Sequence, residues 1–351
     1  MIGMGRKLTD KETMVFCALI KYPMKNDREL SEITGINLST VTAIRRRLES
    51  QTFFHKIRIP MVQYIGAELL TISYGELDNA LPREKRNELC DRYARENSNA
   101  FLFLSSEDFA IQFSISRNYT EVKKDVDNLQ HFLSKNRMLT SKPWHYVMFP
   151  FEVSSLINFF DFSYIMSHLI CSTPYKIPEV DLKYRKFDAY DFSTKEKAAF
   201  EGIVNNPTMA DNSIANLVEV SRQTLSNMRQ KFHDNGLIHE VNIPNLSILK
   251  GILVFSHILF NPDCMLEERK NGVKFVLESS PTVFLVSGSF ESALMHIVSD
   301  YEEYSTLKNK LISYYSSKRF LRGDGNIHLM STLDLCIHKH FDFSGILKNL
   351  L

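Results

Sequence analysis

The chain has 351 residues, of which 24% are charged and 44% hydrophobic, with a formal net charge of +1. This length exceeds one hydrophobic core, so two or more domains are expected, and the ordinary apolar and charged fractions exclude a wholly disordered chain. With net charge so close to zero, attraction to a polyanion must come from local clusters of Lys and Arg.

Five cysteines, at 17, 90, 171, 264 and 336, are far apart and form no CxxC pair. That pattern predicts free thiols, with Cys17 in a core, and a reducing, cytoplasmic setting. No apolar run reaches the roughly 18 residues of a membrane span.

In chain order, the first segment already announces an internal repeat. Residues 8 to 60 overlie residues 192 to 244 without a gap at an offset of 184, matching Glu12 to Glu196, Pro23 to Pro207, Thr40 to Thr224 and Arg45 to Arg229. The later phrases FFDFSYIMSHLI (159 to 170) and HFDFSGILKNLL (340 to 351) match at an offset of 181. The chain therefore reads as two tandem units. The expected domains are a winged helix-turn-helix over 1–66, a βαββαβ domain over 67–171, a joint over 172–191, a second winged helix-turn-helix over 192–250 and a second βαββαβ domain over 251–351. The fold class is α+β.

Each unit opens with three helices. Thr9 and Ser193 stand three residues before Glu12 and Glu196, the spacing of a capping box. In the third helix of unit one, Val41, Ile44 and Leu48 form a narrow apolar stripe at about 100° per residue. Ser39, Thr42, Ala43 and Arg46 fall opposite, flanked by Thr40, Arg45 and Arg47. A small, hydroxylated and cationic face suits a helix lying in the major groove of double-stranded DNA. Unit two offers Arg222, Gln223, Ser226, Asn227, Arg229, Gln230 and Lys231 on the corresponding face. Arg suits guanine and Gln or Asn suits adenine, so the two half-sites should differ. The ribbons TFFHKIRIP and GLIHEVNIP follow, where wings are expected.

The remainder of each unit alternates strand and helix in the order βαββαβ of a ferredoxin-like sandwich. His257, His296 and His328 fall on three predicted strands, and His338 with His340 forms an HxH pair. No carboxylate or cysteine lies at a recognised ligand spacing, so no metal site is expected and these histidines read as packed. Trp144 and His145 open a strand and should pack as well. The closing FDFS phrases read as core-packing helices.

This arrangement resembles the Lrp/AsnC, or feast/famine, regulators. The ribbon IPNLSILKGILVF (243 to 255) and its weaker twin IPMVQYIGAELLT resemble archaeal members in particular. The resemblance covers nearly the whole chain, once per unit. It implies a transcriptional regulator rather than an enzyme, binding double-stranded DNA as a covalently fused pseudo-dimer without a cofactor. A small-molecule effector and a homodimer of fused chains are further expected partners; a membrane is not. Siroheme decarboxylases share the architecture, which makes a tetrapyrrole-binding enzyme the alternative.

Overall fold

The computed structural model describes residues 8–171, 177–323 and 325–351. Unit one opens with α1 (Asp10–Lys21), α2 (Asp27–Thr34) and α3 (Leu38–Ser50), followed by β1 (Phe54–Pro60). Thr9 and Glu12 form the expected capping box, and Gly35 ends α2 in the left-handed region at φ 68°, where a side chain would be strained. Val41, Ile44 and Leu48 are buried against α1 and α2, as their spacing requires. Then come β2 (Leu69–Glu76), α4 (Arg83–Glu96), β3 (Ala100–Ser105), β4 (Phe109–Ser116), α5 (Tyr119–Lys135), β5 (His145–Pro150) and β6 (Ser155–Phe159). A tail helix, α6 (Ser163–Ile165), continues with π-helical bonding through Met166–Cys171.

Unit two repeats the plan with α7 (Thr194–Asn205), α8 (Asp211–Leu217), α9 (Arg222–Asp234), β7 (Ile238–Pro244) and the short α10 (Leu246–Leu249). Its second part holds β8 (Ile252–Leu259), α11 (Leu266–Ser279), β9 (Thr282–Ser287), β10 (Glu291–Val298), α12 (Tyr301–Lys318), β11 (Asn326–Ser331), β12 (Cys336–His340) and α13 (Ser344–Leu350). The tandem helix-turn-helix and ferredoxin-like plan is therefore present, and three details depart from the sequence reading.

First, the ribbons after the third helices are not wings. β1 and β7 pair with each other, antiparallel, over the full register from Phe54 opposite Pro244 to Pro60 opposite Ile238. Each ribbon finds its partner in the other unit, so neither folds back as a hairpin. The pairing is anchored twice by equivalent contacts: Arg58 donates to the carbonyl of Ile203 at 2.8 Å, and Asn242 donates to the carbonyl of Leu19 at 2.8 Å. Subtracting the repeat offset maps one contact onto the other.

Second, the two main sheets exchange strands. Their orders are β12-β3-β4-β2-β5 and β11-β8-β10-β9-β6. The core of each has the ferredoxin-like order, and the fifth strand is supplied by the opposite unit. Neither SLINF nor CIHKH carries enough β-branched or alternating apolar residues to be read as a strand in isolation. The two sheets stack face to face, with Phe113 meeting Phe284 at 5.1 Å between ring centroids and Tyr74 meeting Phe255 at 4.8 Å. Helices α4 and α5 cover the outer face of one sheet, and α11 and α12 cover the other. One continuous apolar cluster joins the seam between the sheets to both helix-turn-helix cores.

Third, Cys17 and Cys171 form a disulfide between α1 and the tail helix of unit one, correcting the expectation of free thiols there. The tail folds back along α1, bringing together residues 154 apart in sequence. Cys90, Cys264 and Cys336 are free. No helix among the described residues is long and apolar enough to cross a membrane.

Candidate functional site

The outward faces of α3 and α9 are accessible. Ser39, Ala43 and Arg46 are exposed on α3, as are Arg222, Gln223, Ser226, Asn227, Gln230 and Lys231 on α9, and Thr40 is half-buried. Most of the cations, however, are already engaged. Arg45 Nε lies 2.8 Å from Asp27 and donates to the carbonyl of Lys25, while Thr42 donates to the other oxygen of Asp27 at 2.7 Å. Arg47 pairs with Glu12. In unit two, Arg229 lies 2.6 Å from Asp211 and Lys231 lies 2.7 Å from Glu196.

These pairs recur at the repeat offset: Asp27 and Arg45 become Asp211 and Arg229, and Glu12 and Arg47 become Glu196 and Lys231. Each ties the third helix to the second or the first, and Glu12 and Glu196 also close the capping boxes. Lys231, with the Ser193 backbone, pulls the Glu196 carboxyl down to about 2. Gln223 bonds Asn227, and Gln230 bonds Asp234, further occupying the polar groups of α9. Of the six predicted cations, Arg46 and Arg222 alone have no carboxylate partner among the described residues.

A direct test separates the two roles. Arg45→Ala and Arg229→Ala are each expected to lower stability by about 2 kcal/mol, because a partly buried carboxylate loses its charged donor. Arg46→Ala should stay within about 0.5 kcal/mol of the parent. Urea denaturation of the three variants measures this, and equal losses at 45 and 46 would contradict the assignment.

The strand histidines divide between two places. His257 and His328 lie in the seam between the sheets. The Tyr74 hydroxyl is 2.8 Å from His257 Nδ1, His257 Nε2 is 3.1 Å from Glu291, and Asn326 donates to Tyr74 at 3.0 Å. His145 stacks on Tyr74 at 5.2 Å, and His328 stacks on Phe109 at 4.0 Å. By strand register, Tyr74 and His257 are equivalent positions, as are Phe109 and Glu291, and His145 and Asn326. The seam is thus aromatic on one side and hydrogen-bonding on the other. The Tyr74 hydroxyl and both His257 nitrogens have partners, and burial raises the Tyr74 hydroxyl to about 12.

The HxH residues also part company. His338 bridges Ser105 and Asp91, each at 2.7 Å, while His340 lies 4.6 Å from the ring of His55. In the first of these sets the serine is buried and the aspartate half exposed, the reverse of what a nucleophilic triad needs. No group of three or more metal-binding side chains occurs among the described residues.

His296 is different. It sits on β10 but faces the helices, away from the seam, and is 3% exposed. Neither ring nitrogen has a hydrogen-bond partner. Burial lowers its pKa to about 4, so the imidazole is neutral. It borders a void of about 50 Å³ lined by Val254, Leu294, Tyr304, Leu307 and Leu311. The void shares Lys308, Ile312, Tyr315, Leu321 and Ile327 with an open cleft of about 640 Å³ whose far side carries Arg319, Gly323 and Gly325. Lys308 and Arg319 are exposed at the rim. Cleft and void therefore lie side by side, the cleft with cations at its rim and the void with an unpartnered imidazole in an apolar wall. Sequence reading placed His296 on a strand but not on the helix-facing side, which alternation with the seam residues Ala293, Met295 and Ile297 would have revealed.

No protein-family model and no curated protein matches the sequence. Among solved structures, the siroheme decarboxylase NirDL matches with a TM-score of 0.52 and 11% identity, over 97% of this chain and 98% of that one. NirDL in complex with an iron-uroporphyrin III analogue matches with the same TM-score and identity over 96% and 98%. An AsnC family transcriptional regulator from Agrobacterium tumefaciens matches at 19% identity over 39% of this chain and 89% of its own, with a TM-score of 0.32. The expectation that the chain is not an enzyme is corrected by these matches, because the fold that agrees along its whole length is that of a tandem, AsnC-like decarboxylase.

Proposed function

We propose that the chain is an enzyme acting on a polycarboxylate tetrapyrrole, of the siroheme decarboxylase type, and that unit two holds the substrate. The observation that carries this reading is the open cleft of about 640 Å³ beside α12, with Lys308 and Arg319 at its rim. Lys308 and Arg319 supply charge for substrate carboxylates, and Ile312, Leu321 and Ile327 supply apolar surface for a ring. The neutralised cations of α3 and α9 leave a weaker electrostatic footprint for a nucleic acid than the sequence promised. Titration with iron uroporphyrin, followed by absorbance, should saturate near one ligand per chain. Lys308→Glu combined with Arg319→Glu should weaken binding by about tenfold or more, since two attractive charges become repulsive. Unaltered spectra at equimolar ligand would end the proposal.

A second activity, contact with double-stranded DNA, rests on the exposed faces around Arg46 and Arg222. It predicts duplex affinity that falls steeply with salt and is lost in the Arg46→Ala, Arg222→Ala double variant. A small-molecule effector or a pairing of fused chains would be additions to either activity.

A further inference from the structure

Of the five cysteines only Cys17 and Cys171 are joined, although Cys264 and Cys336 are also partly exposed, so the link is selective. The repeat shows that it is not needed to dock the tail. In unit two the equivalent tail, α13, lies on α7 through buried Ile346 and Leu347 and a bond from Lys197 Nζ to the carbonyl of Leu351 at 2.6 Å. Glu201 stands there where α1 has Cys17. Unit one has the same apolar seat, with Ile165 and Met166 buried, and adds a covalent bond to it.

The tail is also built differently where the bond is made. α13 is α-helical, and the amide of Leu351 donates to the carbonyl of Leu347 at 2.9 Å. From Met166, the counterpart of Leu347, the tail of unit one widens to π-helical bonding as far as Cys171. A π turn holds more residues than an α turn, so later residues swing around the axis relative to the α-helical twin, and such turns occur mostly at functional sites. Here the swing accompanies the approach of Cys171 to α1. The two cysteines line an open groove of about 340 Å³, between Met14, Cys17 and Lys21 of α1 and Met166, Ile170 and Cys171 of the tail. A small thiol has a path to the sulfurs there, and Lys21, one turn beyond Cys17, favours the thiolate that a breaking disulfide releases.

We propose that Cys17–Cys171 is a reversible redox clasp, opened by a dithiol reductant, that fastens the first helix-turn-helix to the tail helix. The reductant's thiolate attacks Cys171 Sγ, the bond to Cys17 breaks, and Cys17 leaves as a thiolate that takes up a proton. The second thiol of the reductant then displaces Cys171 and closes its own disulfide, so two electrons pass from the dithiol to the protein. Opening frees the last turn of the tail from α1 and lets it regain the α-helical form of its twin. The link that loosens runs between units. The same tail carries His168, whose Nε2 lies 2.7 Å from Glu303 in the first turn of α12, so the closed clasp ties α1 to the helix that borders the cleft. The clasp stands whether or not that cleft takes a tetrapyrrole.

The test uses the full chain in native buffer. After equilibration with glutathione disulfide, peptide mapping should find Cys17 joined to Cys171, and after dithiothreitol both should be alkylated while near-ultraviolet circular dichroism stays native. On reduction, hydrogen exchange should rise about tenfold or more in residues 10–21 and 163–171, and reoxidation should return it to its starting level. Reduction should also lower the unfolding midpoint by about 5 °C or more. Cys171→Ser should show the faster exchange without reductant, whereas Cys264→Ser should respond to reductant as the parent does. Three results on the parent protein alone would each overturn the proposal: Cys17 and Cys171 left unjoined after glutathione disulfide, a bond that yields to dithiothreitol only once denaturant is added, or reduction that leaves exchange in both segments unchanged.

Discussion

Separately expressed halves, residues 1–176 and 177–351, are expected to show no cooperative unfolding transition alone and to regain one when mixed. Each half lacks the fifth strand of its sheet, because β12 completes the first sheet and β6 the second. Each also loses the opposing inner sheet face, the β1–β7 ribbon and several buried anchors. Lys339, from unit two, donates to the carbonyl of Asn97 inside unit one at 2.6 Å, and Phe343 stacks on Phe101 at 5.0 Å. A single Phe lost from such a core costs about 3–5 kcal/mol. Losing dozens of contacts at once exceeds the roughly 5–15 kcal/mol that holds a typical domain together. Self-pairing is a poor substitute: two copies of unit two would place His257 against His257 and Glu291 near Glu291 across the seam. Denaturant titration with near-ultraviolet circular dichroism on each half and on the mixture decides the matter, and a native-like transition in either half alone would refute it.

The repeat made much of this fold legible. A constant offset across 53 aligned residues pinned both helix-turn-helix units, and capping boxes at Thr9 and Ser193 marked their starts. What escaped were relations between units. β6 and β12 are short, lack strong alternation and owe their strand form to a partner more than 100 residues away, so local pattern could not announce them. The ribbons ending at Pro60 and Pro244 had the right composition for wings, yet their hydrogen bonds go to each other. The Cys17–Cys171 link depends on a tail helix folding back over a distance no spacing rule covers.

The ion pairs of the arginine run escaped for a different reason. Arg45 and Arg47 were placed on the flanks of α3 by helical geometry, and that placement agrees with the structure. Their charges are absorbed by Asp27 and Glu12, and the signal was present: both carboxylates recur in unit two as Asp211 and Glu196, at the same offset as the cations. A duplicated pair is a packing constraint shared by two helix bundles. Arg46 has Gln230 as its counterpart and no carboxylate partner among the described residues, which leaves its charge the freer of the three.

Acidification is expected to remove stability between about pH 6.5 and 4, and the slope should diminish in His296→Leu. Burial holds His296 and His340 at about 4, with the nearby His55 adding to the shift at 340. In the unfolded chain a histidine titrates near 6.5. Within that window the unfolded state binds protons that the native state refuses, so lowering the pH favours unfolding by roughly 3 kcal/mol per histidine. Asp125 opposes this: burial raises it to about 6, so the native state gains a proton between about 6 and 4 that the unfolded carboxylate takes up later. Burial lowers His55, His145, His239, His328 and His338 as well, so they add to the loss that Asp125 offsets in part. Glu196, held at about 2, adds its own loss only below the ordinary carboxylate range. Denaturant midpoints measured at half-unit steps should therefore show His296→Leu losing less stability on acidification and Asp125→Asn losing more. Parallel curves for the parent and both variants would mean that neither group is titrating in a buried site, and the neutral, unpartnered imidazole over the second sheet would have to be abandoned.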